Sequence, residues 1–236
     1  MNFLVQASTD IGISKSTNQD SLCVKVIKYG DKKAVFACIC DGMGGLSKGE
    51  VASATVIEAF SHWVESELSA LCQNGQIEDY IIRQQWEKII TAQNSRIMNY
   101  GRSQGVKLGT TVCAILLTES RYYILNVGDT RAYEIYDRVS QLTHDQTVVQ
   151  REIDSGILTS EQAKTDPRRS VLLQCVGASS IVYPDMYFGD TKYHAVYMIC
   201  SDGFRHQITE EEIYNSFSPA ALLDVDTMKK NSEYLI

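Results

Sequence analysis

Val35-Phe36-Ala37-Cys38-Ile39-Cys40-Asp41-Gly42-Met43-Gly44-Gly45 is the stretch on which the reading of this chain turns. Its unbroken apolar run predicts a strand over 34–40, with Asp41 delivered at the strand's end. The glycines that follow let the backbone come close to a ligand. An aspartate so placed can offer its two carboxylate oxygens to two cations, and the adjacent glycine carbonyl is sterically free to become a further ligand. Taken alone, Asp-Gly after a strand is more often a simple turn. A P-loop is excluded, because no Gly-Lys-Ser/Thr follows.

The same arrangement recurs twice. Val196-Tyr197-Met198-Ile199-Cys200 runs into Ser201-Asp202-Gly203-Phe204, and Tyr122-Tyr123-Ile124-Leu125-Asn126-Val127 runs into Gly128-Asp129-Thr130-Arg131. Aspartates converging at strand ends repel one another unless cations neutralise them, and hard carboxylate oxygens suit Mg²⁺ or Mn²⁺ over zinc. A two-metal hydrolytic site is the economical explanation.

Around these anchors, β-rich runs at 21–28, 34–40, 110–117, 121–127, 131–136 and 195–200 predict strands. The stretch 49–101 carries apolar residues at helical spacing, Val56, Phe60, Trp63 and Val64, then Ile82, Trp86, Ile90 and Ile97, which predicts two amphipathic helices. Segment 110–136 reads as a three-stranded meander with turns at Glu119-Ser120 and Gly128-Asp129. Helices inserted between some strands, but not after each, make the class α+β. Thr209, followed by Glu210, Glu211 and Glu212, predicts a helix start, and a further helix is expected from Pro219 to the end. With three prolines and no low-complexity stretch, residues 1–236 read as one domain.

Composition bounds the function. The chain has 236 residues, 44% hydrophobic and 22% charged, enough for a substantial core. A net charge of -7 without basic clusters argues against nucleic acid as a partner. Seven cysteines without Cys-x-x-Cys spacing read as reduced core thiols of a cytoplasmic protein, and no apolar run approaches the ~18 residues that span a bilayer. No Cys-x5-Arg loop is present to activate a thiolate nucleophile. Of the four histidines, His206, four residues after Asp202, is the one placed near the site. Asp166-Pro167-Arg168-Arg169 either grips a phosphopeptide or faces solvent, and Gly109-Thr110-Thr111 and Glu50-Val51-Ala52-Ser53 read as packing features.

Six motifs stand in order: Asn18-Gln19-Asp20-Ser21, Asp41 to Gly45, Gly109-Thr110-Thr111, Asn126-Val127-Gly128-Asp129-Thr130-Arg131, Leu142-Thr143-His144-Asp145 and Ser201-Asp202-Gly203-Phe204. In this the chain resembles the metal-dependent protein phosphatases of type 2C, the PPM family. The likeness is strongest to bacterial members, which carry Met where Met43 stands in place of a eukaryotic His. The resemblance implies a four-layer α/β/β/α sandwich of two antiparallel sheets flanked by helices, with metals at one end. It implies two catalytic Mn²⁺ or Mg²⁺ ions: Asp41 bridging them, the Gly42 carbonyl completing the second, Asp202 binding the first, and Asp20 in the outer shell. Asp129 with Asp202 would form a third metal site. A metal-bridging water would hydrolyse phosphoserine and phosphothreonine on protein substrates of a Ser/Thr kinase, without a phosphoenzyme.

Two departures bear on that picture. Lys15 stands where the family has a phosphate-binding Arg, and reads either as a weaker catalytic phosphate grip or as a surface lysine. The family's closing Asp-Asn pair is absent after Asp202, so the catalytic domain is expected to be cut short before its final strand. The alternative function is a pseudophosphatase, a phosphoprotein-binding regulatory module without turnover.

Overall fold

The computed structural model describes residues 2–13, 17–44, 48–222 and 224–236. Strand β1 (Asp20–Tyr29) turns tightly into β2 (Lys32–Gly44), and after the helices β3 (Leu108–Thr110), β4 (Val112–Leu117) and β5 (Arg121–Val127) follow. With β8 (Asp185–Asp190) they make a large antiparallel sheet in the order β1-β2-β4-β5-β8, β3 pairing with the far end of β2. A second sheet, β7-β6-β9, is built from β6 (Arg131–Ile135), β7 (Val139–Gln141) and β9 (Val196–Cys200).

The unbroken hydrophobicity of the central strands follows from burial on both faces. In β4, Val112, Ala114 and Leu116 enter one core, and Cys113, Ile115 and Leu117 enter another. The first core lies under α1 (Gly49–Trp63), α2 (Ser69–Asn74) and α3 (Asp79–Gln104). Its centre is an aromatic cluster in which Phe36 meets Phe60, Trp63 and Trp86 at ring separations of 5.6, 5.9 and 6.0 Å. A π-helical turn, Val64–Leu68, joins α1 to α2. The second core fills the space between the sheets, where Val35, Ile115 and Ile124 meet Ala132 and Ile199. On the outer face of the small sheet, Tyr133, Ile135 and Cys200 pack with α7 (Glu210–Phe217) through Ile213 and Phe217, and Leu235 of α8 (Val225–Leu235) joins them. Helix, sheet, sheet, helix is thus the order of layers.

The strands and the two long helices stand where periodicity places them, and Thr209 forms a capping box with Glu212. Two expectations change. Segment 110–136 is not a three-stranded meander: β4 and β5 pair, but β6 crosses to the other sheet. The crossing occurs at Gly128, whose φ of 101° redirects the chain while Thr111 packs against its α-carbon face. The last helix begins later than Pro219, at Val225, because the Asp224 carboxylate accepts from Thr227 N at 2.7 Å and caps it there. Between β7 and β8 lie the short helices α4 (Val148–Asp154) and α5 (Ser160–Lys164), and α6 (Asp202–Arg205) follows β9. Among the described residues no helix is long and apolar enough to cross a membrane.

Candidate metal centre

At one end of the sandwich, Asp41, Gly42, Asp129 and Asp202 line one cleft of about 380 Å³ with Gln19, Met43, Thr111, Ser170 and Leu172. Asp41 lies inside β2 and not at its tip, directly opposite Asp20 in the β1–β2 register. Residues opposed across an antiparallel pair share a face with Cβ atoms about 4.5–5.5 Å apart, a costly position for two carboxylates. The Asp20 carboxylate and the Asp41 backbone are each tied to a different element. Asp20 Oδ2 accepts from Ser201 Oγ at 2.8 Å, which joins β1 to the start of α6. The backbone of Asp41 is gripped by the β3–β4 corner: its N–H donates to Thr111 Oγ1 at 3.0 Å, and its carbonyl accepts from Thr110 Oγ1 at 3.0 Å and Thr111 N at 2.9 Å. Thr111 Oγ1 in turn shares a 2.6 Å hydrogen bond with Thr130 Oγ1.

Gly42 is required sterically. A Cβ there would stand 2.5 Å from the Gln19 carbonyl oxygen and 2.6 Å from the Gly49 carbonyl carbon, where β2 meets the start of α1. Ser53 of α1 closes the same junction by donating to the Gln19 carbonyl at 2.7 Å. The Ala52-Ser53 segment and Gly109-Thr110-Thr111 are therefore buttresses of Asp20 and Asp41 and not packing alone.

Asp202 opens α6, and Ser170 Oγ reaches its Oδ2 at 3.4 Å from the loop after α5. His206 stands beside it, Nδ1 3.8 Å from Asp202 Oδ2, with its pKa lowered by burial and by the neighbouring Arg205, which favours the neutral imidazole. Asp129 is buried and paired with Arg205. Burial pushes its carboxyl up to about 6, against the pull of Arg205 and with Asp202 and Asp145 adding to the rise.

The donor set fits a hard divalent cation. Asp41, Gly42 and Asp202 line one cleft, with Asp20 opposite Asp41. Among the described residues no three His, Cys, Asp or Glu side chains form a ready-made cage.

Lys15 and Gly45 lie outside the described residues. Arg168 is spoken for elsewhere, its guanidinium paired with Glu152 at 2.8 Å and Asp166 at 2.9 Å on the surface. All seven cysteines are unpaired. Sequence reasoning missed Ser201, Arg205 and the hydroxyl pair Thr111–Thr130. Ser201 had a visible signal, a hydroxyl immediately before the strand-end aspartate, while Arg205 finds its partner 76 residues away.

A four-layer sandwich that gathers Asp41, Asp129 and Asp202 into one cleft at one end defines the class: the metal-dependent phosphatases. Residues 13–229 match the family model for protein phosphatase 2C, and the chain belongs to that family. The serine/threonine phosphatase stp of Listeria innocua is 31% identical over 209 residues, 87% of this chain and 79% of that protein. Among solved structures, serine/threonine phosphatase Stp1 from Staphylococcus aureus superposes with a TM-score of 0.82 at 26% identity, covering 97% of this chain and 87% of that one. The catalytic domain of the serine/threonine protein phosphatase PstP, in complex with two manganese ions, superposes at 0.74 with 25% identity over 95% and 86%.

Proposed function

We propose that this chain, acting as one catalytic domain, hydrolyses phosphoserine and phosphothreonine monoesters on proteins with Mn²⁺ or Mg²⁺. The observation that carries the reading is the in-register opposition of Asp20 and Asp41 at a cleft that Asp202 shares. Like charges so placed cost stability unless a cation lies between or beside them. The phosphatase names of the relatives and the two manganese ions of PstP support it.

Asp41, the Gly42 carbonyl and Asp202 would hold the ions, with Asp20 behind them. When bound, Mn²⁺ or Mg²⁺ supplies an ionised water at neutral pH and screens the phosphoryl oxygens during in-line attack. The chain's own residues do the positioning. Thr110 and Thr111 fix the Asp41 backbone, so the carboxylate keeps its aim without reorganisation. Ser201 holds Asp20 as an acceptor and couples it to the segment that presents Asp202. Gly42, lacking a side chain, keeps its carbonyl approachable. Lys15 is assigned the electrostatic grip on the phosphoryl group. No thiolate takes part: Cys200, beside Asp202 in sequence, has its thiol pushed up to about 12 by burial. The natural substrates would be products of a Ser/Thr kinase, and seven unpaired cysteines suit the reducing cytoplasm.

The test is release of phosphate from a phosphothreonine peptide by this chain in Mn²⁺, by the same sample with excess chelator, and by Asp41→Asn. Turnover that needs metal and falls at least about 100-fold in Asp41→Asn, a loss of roughly 2.7 kcal/mol of transition-state stabilisation, is expected. Turnover that survives the chelator or the substitution refutes the metal reading. A metal-binding chain inert toward every phosphopeptide tried points instead to a phosphoprotein-binding module.

A further inference from the structure

Resemblance assigns Asp129, with Asp202, to a third cation, but Asp129 already has a cationic partner. Arg205 Nη2 donates to Asp129 Oδ2 at 2.6 Å, and Arg205 Nε donates to the carbonyl of the same residue at 3.2 Å. Both side chains are sequestered, 8% and 5% exposed. Gripping one residue by its carboxylate and its backbone together fixes the aspartate's orientation as well as its charge. The next carboxylate inward, Asp145, lies 3.8 Å from Arg205 Nη2, and Arg131 takes it with two hydrogen bonds at 2.8 and 2.7 Å. Arg131 Nη1 is itself anchored on the Tyr133 hydroxyl at 3.1 Å.

The two guanidiniums balance Asp129 and Asp145 charge for charge without any ion, which leaves the neighbouring Asp202 as the carboxylate of this end that a cation can neutralise. A divalent cation liganded by Asp129 must either sit against the buried guanidinium of Arg205 or expel it. Repulsion at short range in low dielectric opposes the first, and an uncompensated buried charge opposes the second. The Asp129 end of the cleft therefore does not fit a third cation, in contrast to the end formed by Asp41, Gly42 and Asp202.

We propose that Arg205 is the fixed counter-charge of Asp129, a positioning residue standing where a third divalent ion would otherwise be bound, and that Asp129 is not a metal ligand in this protein. Arg205 belongs to α6, whose first residue is Asp202. Through Arg205 the β5–β6 turn holds α6, and hence Asp202, without help from a cation. The inference rests on the metal-dependent reading above.

The test counts bound Mn²⁺ per chain, by the loss of the free-ion electron paramagnetic resonance signal, for the wild type, Asp129→Asn and Arg205→Gln. Asp129→Asn is expected to bind as many ions as the wild type, with affinities within about threefold. Arg205→Gln, which frees the Asp129 carboxylate, is expected to take up one ion more. A folded Asp129→Asn that loses one ion overturns the inference, as does an Arg205→Gln titration superimposable on the wild type. Should the variants not fold, the wild type decides alone. In an Mg²⁺ titration followed by NMR, the Arg205 Nε–H resonance is expected to keep its slow solvent exchange at saturation, and its disappearance overturns the inference. A wild type that binds no Mn²⁺ at all refutes the metal reading itself and this inference with it, a result unlike the loss of one ion in Asp129→Asn.

Discussion

The two glycines that follow cleft aspartates, Gly42 and Gly203, make opposite demands, and the contrast predicts opposite outcomes for the same substitution. At Gly42 a methyl group would lie 2.5 Å from the Gln19 carbonyl oxygen and 2.6 Å from the Gly49 carbonyl carbon, and closer still to the Gly49 oxygen. Ordinary carbon contacts need about 3.5 Å, so backbone on two sides must retreat by about 1 Å. Overpacking of this kind costs about 1–3 kcal/mol. The retreat also strains the 3.2 Å hydrogen bond from Gly42 N to the Gln19 carbonyl, another 1–3 kcal/mol or so when a partner is left buried and unpaired. A combined loss of about 4 kcal/mol lowers Tm by roughly 8–16 °C in a domain of this size. Because Gln19 precedes Asp20, the same displacement pulls Asp20 out of register with Asp41, so Gly42→Ala is also expected to abolish phosphopeptide turnover. At Gly203 nothing lies within 4 Å of the added methyl, and the residue sits in α6. Alanine there is favoured by about 0.5–1 kcal/mol, so Gly203→Ala should melt slightly above the wild type and keep its activity. Thermal denaturation followed by circular dichroism, with phosphate release at 25 °C, measures both. A Gly42→Ala protein that melts within 2 °C of the wild type, or a Gly203→Ala protein that melts as low as Gly42→Ala is expected to, refutes the steric reasoning.

Two further outcomes follow from the geometry. Thr111→Val keeps the shape of the β3–β4 corner but strips the Asp41 N–H and the Thr130 hydroxyl of their partner; it should cost about 1–3 kcal/mol and depress kcat more than KM, while Thr111→Ser retains both, and wild-type kinetics in the Val variant would remove Thr111 from the site's support. Cys23 is the one cysteine of the seven that is not fully buried, yet burial and the neighbouring Cys38 push its thiol up to about 12. At pH 8 its thiolate is about one part in 10⁴, against roughly one in four for an ordinary thiol, so a disulfide reagent should show no fast equivalent in the native protein and seven in guanidinium; one equivalent reacting within seconds would contradict the burial.

What the sequence revealed tracks how local the physics is. The apolar runs of β2, β4, β5 and β9 were legible because burial on both faces leaves no polar position to blur them. Strand β8, Asp-Met-Tyr-Phe-Gly-Asp, carries acids at both ends and a glycine within, and escaped notice because pairing with β5 holds it and propensity does not. The transfer of β6 to the second sheet was equally hidden, since a Gly-Asp turn reads the same whether the next strand folds back or crosses over. At the site, Asp41, Asp129 and Asp202 announced themselves by recurring at strand ends. Arg205 did not, because an arginine after an aspartate motif has no sequence mark that tells solvent from a buried partner in a turn 76 residues away.

The opposition of Asp20 and Asp41 was written in the sequence, though a motif comparison does not read it. Tyr29 and Lys32 face each other across the two-residue turn Gly30-Asp31, where Gly30 supplies a φ of 58°. Once that turn closes, the antiparallel register is fixed, and counting nine pairs back along both strands brings Asp20 to Asp41. The core enforces the same register, because Cys38, Phe36 and Ala34 must face the helices, and a slip of one residue would turn them toward the other sheet. Two independent constraints, a tight turn at one end and an apolar face along the length, thus force two carboxylates together at the far end. Like charges directly opposed weaken a strand pair. A hairpin that accepts this penalty at its open end, beside the cleft that Asp41, Gly42 and Asp202 line, is where a divalent cation would relieve it.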